Sequence, residues 1–384
     1  MVDKLRIQDI ARLAGVSVST VSRVLNKKPD VDPATRDRIL QIMKEHNFVP
    51  NHAAISLAGG HTRILGVIVP SLSWPFIPEV AANIRGVIIP TIAWQIIPEI
   101  MRGVTDTAHK TQYELLLYSI HRQQDHSEII QRILATQLIS GLLAVLPGSA
   151  AKDLLTLHER DLPVVLVDDQ GKALPMPWVG TNNRQGAYTA VHHLTSLGHR
   201  RIGHIRGLYE CSQERYLGYL DALLEADIMP DPALVVQGDF GFASGYHQAQ
   251  HLFQLAEPPS AIFAGNDQMA YGVVSAAAEH NLCVPEDIAI VGFDDIPFSE
   301  HIKPALTTIR QPFFDMGKSA TELLISLVEA HNTASNPLAG HTMLTSQPHN
   351  EPSLRLELST ELIVRESCGT LSASRPTPTT EKLR

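Results

Sequence analysis

Three cysteines in 384 residues, Cys211, Cys283 and Cys368, are too few and too far apart for a disulfide framework or a thiolate metal site, so reduced thiols are expected. No run of about eighteen uninterrupted apolar residues occurs, and the start MVDKLRIQ lacks the apolar core of a signal peptide. Those two absences point to a cytoplasmic protein with no membrane partner. The histidines, His192, His193 and His199 among them, have no carboxylate or cysteine at ligand spacing; no metal is expected, and they read as surface or core residues. G-x-S-x-G, H-E-x-x-H, G-x-x-x-x-G-K-S/T and C-x-x-C are all missing, which removes the local signatures of nucleophile, zinc and nucleotide chemistry. No cofactor and no catalytic residue is expected.

Positive charge is also scarce, with a formal net charge of −9 that argues against a general nucleic-acid binder. The shortage is uneven. Residues 1–60 hold nine Lys/Arg against six Asp/Glu, while the remainder holds twenty-two against thirty-four. A basic head on an acidic body confines phosphate attraction to the head. A length of 384 residues with 44% hydrophobic content suits two or three domains with sizeable cores.

Within the head, LRIQDIARLAGVSVSTVSRVLN places Ile10, Leu13 and Ala14 on one helical face, breaks at Gly15-Val16, and resumes with Val21, Val24 and Leu25. Ser17 is a natural N-cap for the second helix, which shows Ser19, Ser22 and Arg23 to solvent with Val18 at its edge. Spacing alone fits an ordinary helical hairpin as well as a helix-turn-helix whose second helix enters the DNA major groove. Asp32-Pro33 then caps a third amphipathic helix carrying Ile39, Ile42 and Met43 and running to about His46. Asn51 caps a segment of about seven residues that Gly59-Gly60 ends, too short to be stable alone.

The run IQDIARLAGVSVSTVSRVLN resembles the amino-terminal signature of the lactose-repressor/galactose-repressor family of bacterial transcription regulators. GNDQMAYG, VGFDDIPFSEHIKPALTTIRQP and STELIVRESC extend the likeness over roughly residues 4 to 368. The resemblance implies Ser17, Val18, Ser19 and Arg23 at the groove, Thr20 and Ser22 near phosphates, and a DNA-binding hinge helix that starts at Asn51 and puts Leu57 into the minor groove at the operator centre. The family's Ala-Arg before that leucine reads Ala54-Ile55 here, so one basic contact is missing. It further implies a homodimer or higher oligomer on pseudo-palindromic double-stranded operator DNA, controlled by a small sugar-like effector.

From Ile64 to Pro312, about eight short apolar runs alternate with helical patterns, which predicts parallel sheets covered by helices in two similar lobes. The expected fold is therefore an all-α helix-turn-helix headpiece (residues 1–48), a hinge (49–60), a two-lobed α/β core like that of periplasmic binding proteins (61–368), and a disordered tail (369–384). LRLELSTELIVRES is expected as one closing strand. One feature departs from the family: GVIVPSLSWPFIPEVAANIR (66–85) is followed directly by GVIIPTIAWQIIPEIMRGVT (86–105), identical at eight of twenty positions. The second copy runs straight into the helix MRGVTDTAHK, so it is expected to supply the first core strand, with the first copy as an insertion.

Ligands of open parallel sheets lie at the carboxyl ends of the strands. That rule selects Trp94 or its copy Trp74, Asp168, Asp169 and Gln170, Arg215, Asn266 and Asp267, and Asp294 and Asp295. Carboxylates, amides and an arginine hydrogen-bond hydroxyls, and a tryptophan face packs on a pyranose. The resemblance gives Arg215 and Asp294 as effector contacts, against a lobe-to-lobe salt bridge; Asn266 and Asp267 serve equally well as helix caps. Trp178 lines the cleft or plugs a lobe interface. Asn182-Asn183 replaces the family's frequent Asp-Asn and removes a charge. The competing class is a solute-binding protein or carbohydrate-active enzyme on the same scaffold, which leaves the basic head unexplained.

Overall fold

The computed structural model describes residues 5–25, 30–46, 48, 62–70, 92–120, 125–145, 153–168, 174–334 and 354–369. Asn51, Leu57, Trp74, Asp169, Gln170, the hinge and the residues after 369 lie outside them, and the Trp94 side chain does too.

Three helices form the head: α1 (Ile7–Ala14), α2 (Val18–Leu25) and α3 (Pro33–Glu45). Gly15 closes α1 in the left-handed conformation at φ 67°, which frees the chain to turn into α2. Asp32 accepts the Thr35 N–H at 3.0 Å ahead of Pro33, so α3 starts where the sequence places it. Ile10, Ala11, Ala14, Val21, Val24, Ile39 and Met43 are buried together. Leu13 is a correction: it is 48% exposed, because the buried face of α1 follows Ile7, Ile10, Ala11 and Ala14 at i, i+3, i+4 and i+7.

The body is two six-stranded sheets. The first lobe contains β1 (Ile64–Pro70), α4 (Ile92–Lys110), β2 (Glu114–Ile120), α5 (Asp125–Thr136), β3 (Gly141–Val145), α6 (Leu155–His158), β4 (Val164–Val167) and β5 (Trp178–Thr181). The chain crosses into α7 (Asn183–Ser196), β6 (Ile202–Arg206), α8 (Tyr209–Glu225), β7 (Val235–Gln237), α9 (Phe242–Phe253), β8 (Ala261–Ala264), α10 (Asp267–Glu279), β9 (Ala289–Asp294) and β10 (Thr307–Arg310). It returns as α11 (Phe313–Ala334) and ends as β11 (Arg355–Leu358) and β12 (Glu361–Ile363). The strand orders are β11-β5-β4-β3-β1-β2 and β12-β10-β9-β8-β6-β7. Neighbours are parallel except β10 with β12. The central strands β3, β4, β8 and β9 are buried along their whole length, which is why they read as unbroken apolar runs.

Two expectations change here. The single closing strand is two strands in different sheets: Arg355–Leu358 pairs with β5, Ser359 and Thr360 cross between lobes, and Glu361–Ile363 pairs with β10. The alternation of LRLEL lapses at the three consecutive polar residues Ser359, Thr360 and Glu361, where the chain changes sheet.

The first core strand comes from the first repeat copy, not the second. Residues 64–70 sit in register between Glu114–Ile120 and Gly141–Ala144, which fills the place of the first strand on both sides. The helix that follows, α4, comes from the second copy. GVIVP and GVIIP are interchangeable as strands, but the helical halves are not. A Cβ at Gly103 would overlap the Phe314 carbonyl of α11, and the aligned residue of the first copy is Asn83. Only the second copy's helix lets α4 lie this close to α11. Residues 71–91, which join the two halves, lie outside the described residues.

Candidate DNA-contact helix and ligand cleft

On α2 the small hydroxyl residues are tied to one another. Ser17 Oγ accepts the Thr20 N–H at 3.1 Å and lies 2.7 Å from Ser19 Oγ and 2.8 Å from Thr20 Oγ1. Ser17, Val18, Ser19 and Arg23 are exposed, while Thr20 and Ser22 are half-buried. Arg23 reaches across to Asp30, with Nη1 2.8 Å from Oδ2. The expected contact residues thus form one solvent-facing surface on a helix whose other side is packed.

The cleft is marked by backbone strain. Ten non-glycine residues have left-handed φ among those described, and they fall into two groups. Gln112, Gln137, Asp161, Asp227 and Asn281 simply follow helix ends. Asp168 (φ 56°), Tyr209 (69°), Phe240 (72°), Asp294 (120°) and Asp295 (56°) instead lie at or just beyond the carboxyl ends of β4, β6, β7 and β9. Such conformations cost about 1–3 kcal/mol each and persist where the surroundings impose them.

Beside Asp294 lies Arg215, buried with its guanidinium 3.7 Å from the centroid of the Phe293 ring. Its Nε donates to Asn183 Oδ1 at 2.7 Å and its Nη1 to the Gly265 carbonyl at 2.5 Å, leaving Nη2 3.7 Å from Asp294 Oδ1. Asp294 is 2% exposed; Oδ1 accepts from Gln311 Nε2 at 2.7 Å, and Oδ2 has no hydrogen-bond partner among the described residues. Burial pushes the Asp294 carboxyl up to about 7, against the opposing pull of Arg215 and the Gln311 hydrogen bond, with Asp168 adding a smaller upward push. Gln311 also takes the Thr181 hydroxyl at 2.6 Å, so a continuous hydrogen-bonded path runs from the first-lobe strand β5 to Asp294 in the second lobe.

Of the predicted contacts, Asp168, Arg215 and Asp294 come together. Arg215 and Asp294 belong to the same lobe, so the alternative of a lobe-to-lobe salt bridge is corrected. Asn266 is the N-cap of α10, accepting the Met269 N–H at 2.9 Å, and it donates to the Phe240 carbonyl at 3.0 Å. Asp267 is a correction. It is fully buried, and its carboxylate accepts from Thr308 Oγ1, from Ser299 Oγ at 2.6 Å and from the Ile296 N–H at 3.0 Å, so both oxygens are committed inside the lobe. Asp295 turns away from Asp294 to pair with Arg310 and Arg365, each at 2.7 Å. Trp178 packs in the first-lobe core with Leu166 and Met176, its indole lying across Gly180.

Sequence reasoning singled out Asn182-Asn183 only as a departure from the family and missed Gln311, Phe293 and the Tyr209–Phe240 ring pair, whose centroids lie 6.3 Å apart. Gln311 stood in plain view directly after TTIR; nothing local says that its amide serves two lobes. Asn182 and Asn183 separate their roles, one capping α7 through the Gln185 N–H at 2.9 Å and the other holding Arg215.

The comparisons with known proteins agree with this layout. Residues 6–51 match the model of bacterial regulatory proteins of the lacI family, and residues 191–368 match a periplasmic binding protein-like domain. The HTH-type transcriptional repressor CytR of Escherichia coli (strain K12) is 32% identical over 335 residues, covering 86% of this chain and 91% of that protein. Catabolite control protein A of Priestia megaterium is 31% identical over 334 residues, covering 86% and 94%. Among solved structures, the lac repressor dimer bound to operator and the anti-inducer ONPF superposes with a TM-score of 0.73 at 25% identity, over 96% of this chain and 100% of that one. The complex of the transcriptional regulator CelR with cellobiose gives 0.64 at 28%, over 94% and 99%. No described helix is long and apolar enough to cross a membrane.

Proposed function

The chain belongs to the lacI family of bacterial regulatory proteins, and from that premise we propose that it is a cytoplasmic, dimeric repressor that binds a pseudo-palindromic operator and is controlled by a small polyhydroxylated effector in its cleft. Ser17, Val18, Ser19 and Arg23 face the major groove, with Thr20 and Ser22 toward phosphates. Arg215 and Asp294 hold the effector, with Asn183 fixing Arg215, Gln311 orienting Asp294 and Asp168 acting on them electrostatically from the first lobe.

The observation that carries the effector reading is the orphan oxygen of Asp294. A buried carboxylate oxygen without a donor is costly, and a ligand hydroxyl supplies the missing donor where Arg215 Nη2 adds a second contact. Asp295, the neighbouring carboxylate, points away into its two arginines and is not paired with Asp294 at the ligand position, which supports a binding role. Because Thr181 and Gln311 lie on separate crossings between the lobes, a ligand that draws on Asp294 also acts on the lobe arrangement.

The test is a thermal-shift screen of monosaccharides, disaccharides and nucleosides, followed by operator-binding titrations with any hit. The expected result is a compound that raises Tm and changes operator affinity, with both responses lost in Asp294→Asn while ligand-free operator binding is kept. A variant Asp294→Asn that responds like the wild type would remove the assignment.

A further inference from the structure

Arg23 and Asp30 form an ion pair that DNA electrostatics alone would not favour. Asp30 adds a negative charge beside the helix proposed to face phosphates, in a head whose first 60 residues carry only three more basic than acidic side chains. The pair is short, 2.8 Å, yet both side chains remain about half exposed, at 59% and 50%. An exposed pair of this kind contributes little to folding, so its place at the groove-facing edge calls for another role.

The geometry points to one: we propose that Asp30 is a positioning residue that holds Arg23 ready to read a guanine. Its carboxylate engages Nη1, which among the described residues leaves Nε and Nη2, two parallel donors along one edge of a planar guanidinium. That edge matches the O6 and N7 acceptors of guanine in the major groove. A free arginine samples many rotamers before it meets a base, whereas one fixed by a carboxylate presents the reading edge in advance. Asp30 thereby trades general phosphate attraction for discrimination. This inference rests on the assignment of Arg23 as a base reader.

Two readouts that move in opposite directions test it. The full-length wild type selects operators from a random duplex pool, and fluorescence anisotropy then gives affinities for the selected site, for each single-base variant of it, and for random-sequence DNA. The guanine read by Arg23 is the position whose substitution penalty disappears in Arg23→Ala. In Asp30→Asn, random-sequence DNA should bind about two- to threefold tighter, since a repelling charge is gone, while the penalty at that guanine falls by at least about threefold. Asp30→Glu should restore part of the penalty.

An Asp30→Asn variant that binds all sequences tighter with the penalty intact makes Asp30 a repelling charge only and overturns the proposal. Absence of any position-specific loss in Arg23→Ala overturns it too, while leaving the regulator reading in place. A selection that enriches no common sequence overturns the regulator reading and this inference together.

Discussion

The protein holds two arginine–aspartate pairs of opposite character. Arg23 and Asp30 meet at 2.8 Å with side chains 59% and 50% exposed; Arg215 and Asp294 stand at 3.7 Å with side chains 5% and 1% exposed. Distance ranks the first pair as the stronger, and solvent reverses that order. Water screens the surface pair to about 0–1 kcal/mol of stability. In the interior each group has lost its hydration, and removing the arginine leaves the buried Asn183 and Gly265 oxygens without a donor, at about 1–3 kcal/mol each. The surface pair is free to serve recognition, and the buried arginine cannot be removed without consequence for the fold.

The largest expected effect attacks the buried pair. Arg215→Met should destabilise the second lobe by about 3–5 kcal/mol, read by denaturant unfolding of the full chain, and adding Asp294→Asn should recover part of the loss. A change below about 1 kcal/mol would show that Asp294 finds other support and would erase the contrast. The matching change at the surface, Arg23→Ala, should leave unfolding unchanged and weaken binding of the selected operator by about 1–3 kcal/mol.

Acid separates Asp294 from another buried group. His204 is fully buried in a stack with Phe263 and Tyr219, and burial pushes its imidazole down to about 4. The unfolded chain then binds the proton first, so this residue lowers stability as pH falls from about 6.5 toward 4. Asp294 has the opposite sign: its carboxyl, raised to about 7, binds a proton in the folded state first, so its contribution to stability is lost as pH rises from about 4 to 7. The two slopes offset in the wild type. His204→Phe removes only one of them, and the stability difference between variant and wild type should shift by about 2 kcal/mol toward the variant between pH 7.5 and 5. A difference that stays flat would show that His204 is protonated when folded.

The raised Asp294 carboxyl also bears on the ligand. If Oδ2 accepts an effector hydroxyl, the ionised form binds, and affinity for the compound found by thermal shift should fall about tenfold, or about 1.4 kcal/mol, from pH 8 to pH 6. Calorimetry in buffers of different ionisation enthalpy should show proton release on binding. Proton uptake would mean that Asp294 donates rather than accepts.

How far all this could be read from the chain depends on the range of the interaction. The head was legible because its determinants are local: Gly15, Ser17, Asp32 and Pro33 each act within one helical turn, and only Leu13 misled, lying at the edge of the apolar face. The parallel sheets showed as apolar runs, because strands covered on both sides must be apolar throughout. The crossings between lobes did not show. Thr181, Gln311 and Ser359–Thr360 sit in ordinary-looking strand ends, and their meaning depends on partners 130 residues away in one case and still further in the other. The repeat misled for a related reason. Its strand halves are equivalent by pattern, and the choice of helix turned on the approach of α11, more than 200 residues downstream of Gly103.

The smallest predicted effect concerns Ser17, whose hydroxyl serves two purposes that a single contact list would merge. As N-cap it accepts the Thr20 N–H, and as the centre of the Ser17–Ser19–Thr20 cluster it orients two hydroxyls proposed to meet DNA. Ser17→Ala removes both roles, Ser17→Gly also removes the hydroxyl but leaves a residue that the N-cap position tolerates, and Ser17→Asp keeps the cap while placing a negative charge near phosphate. The first should cost the head about 1 kcal/mol and the second only a few tenths. If capping is the main role, Ser17→Asp keeps head stability by hydrogen exchange of the α2 amides and loses operator affinity through its charge. If orienting the hydroxyls is the main role, Ser17→Ala and Ser17→Gly lose equal operator affinity despite their unequal effect on the helix. The exposed surface of α2 is then as tightly specified as the cleft floor, by hydrogen bonds of far smaller individual worth.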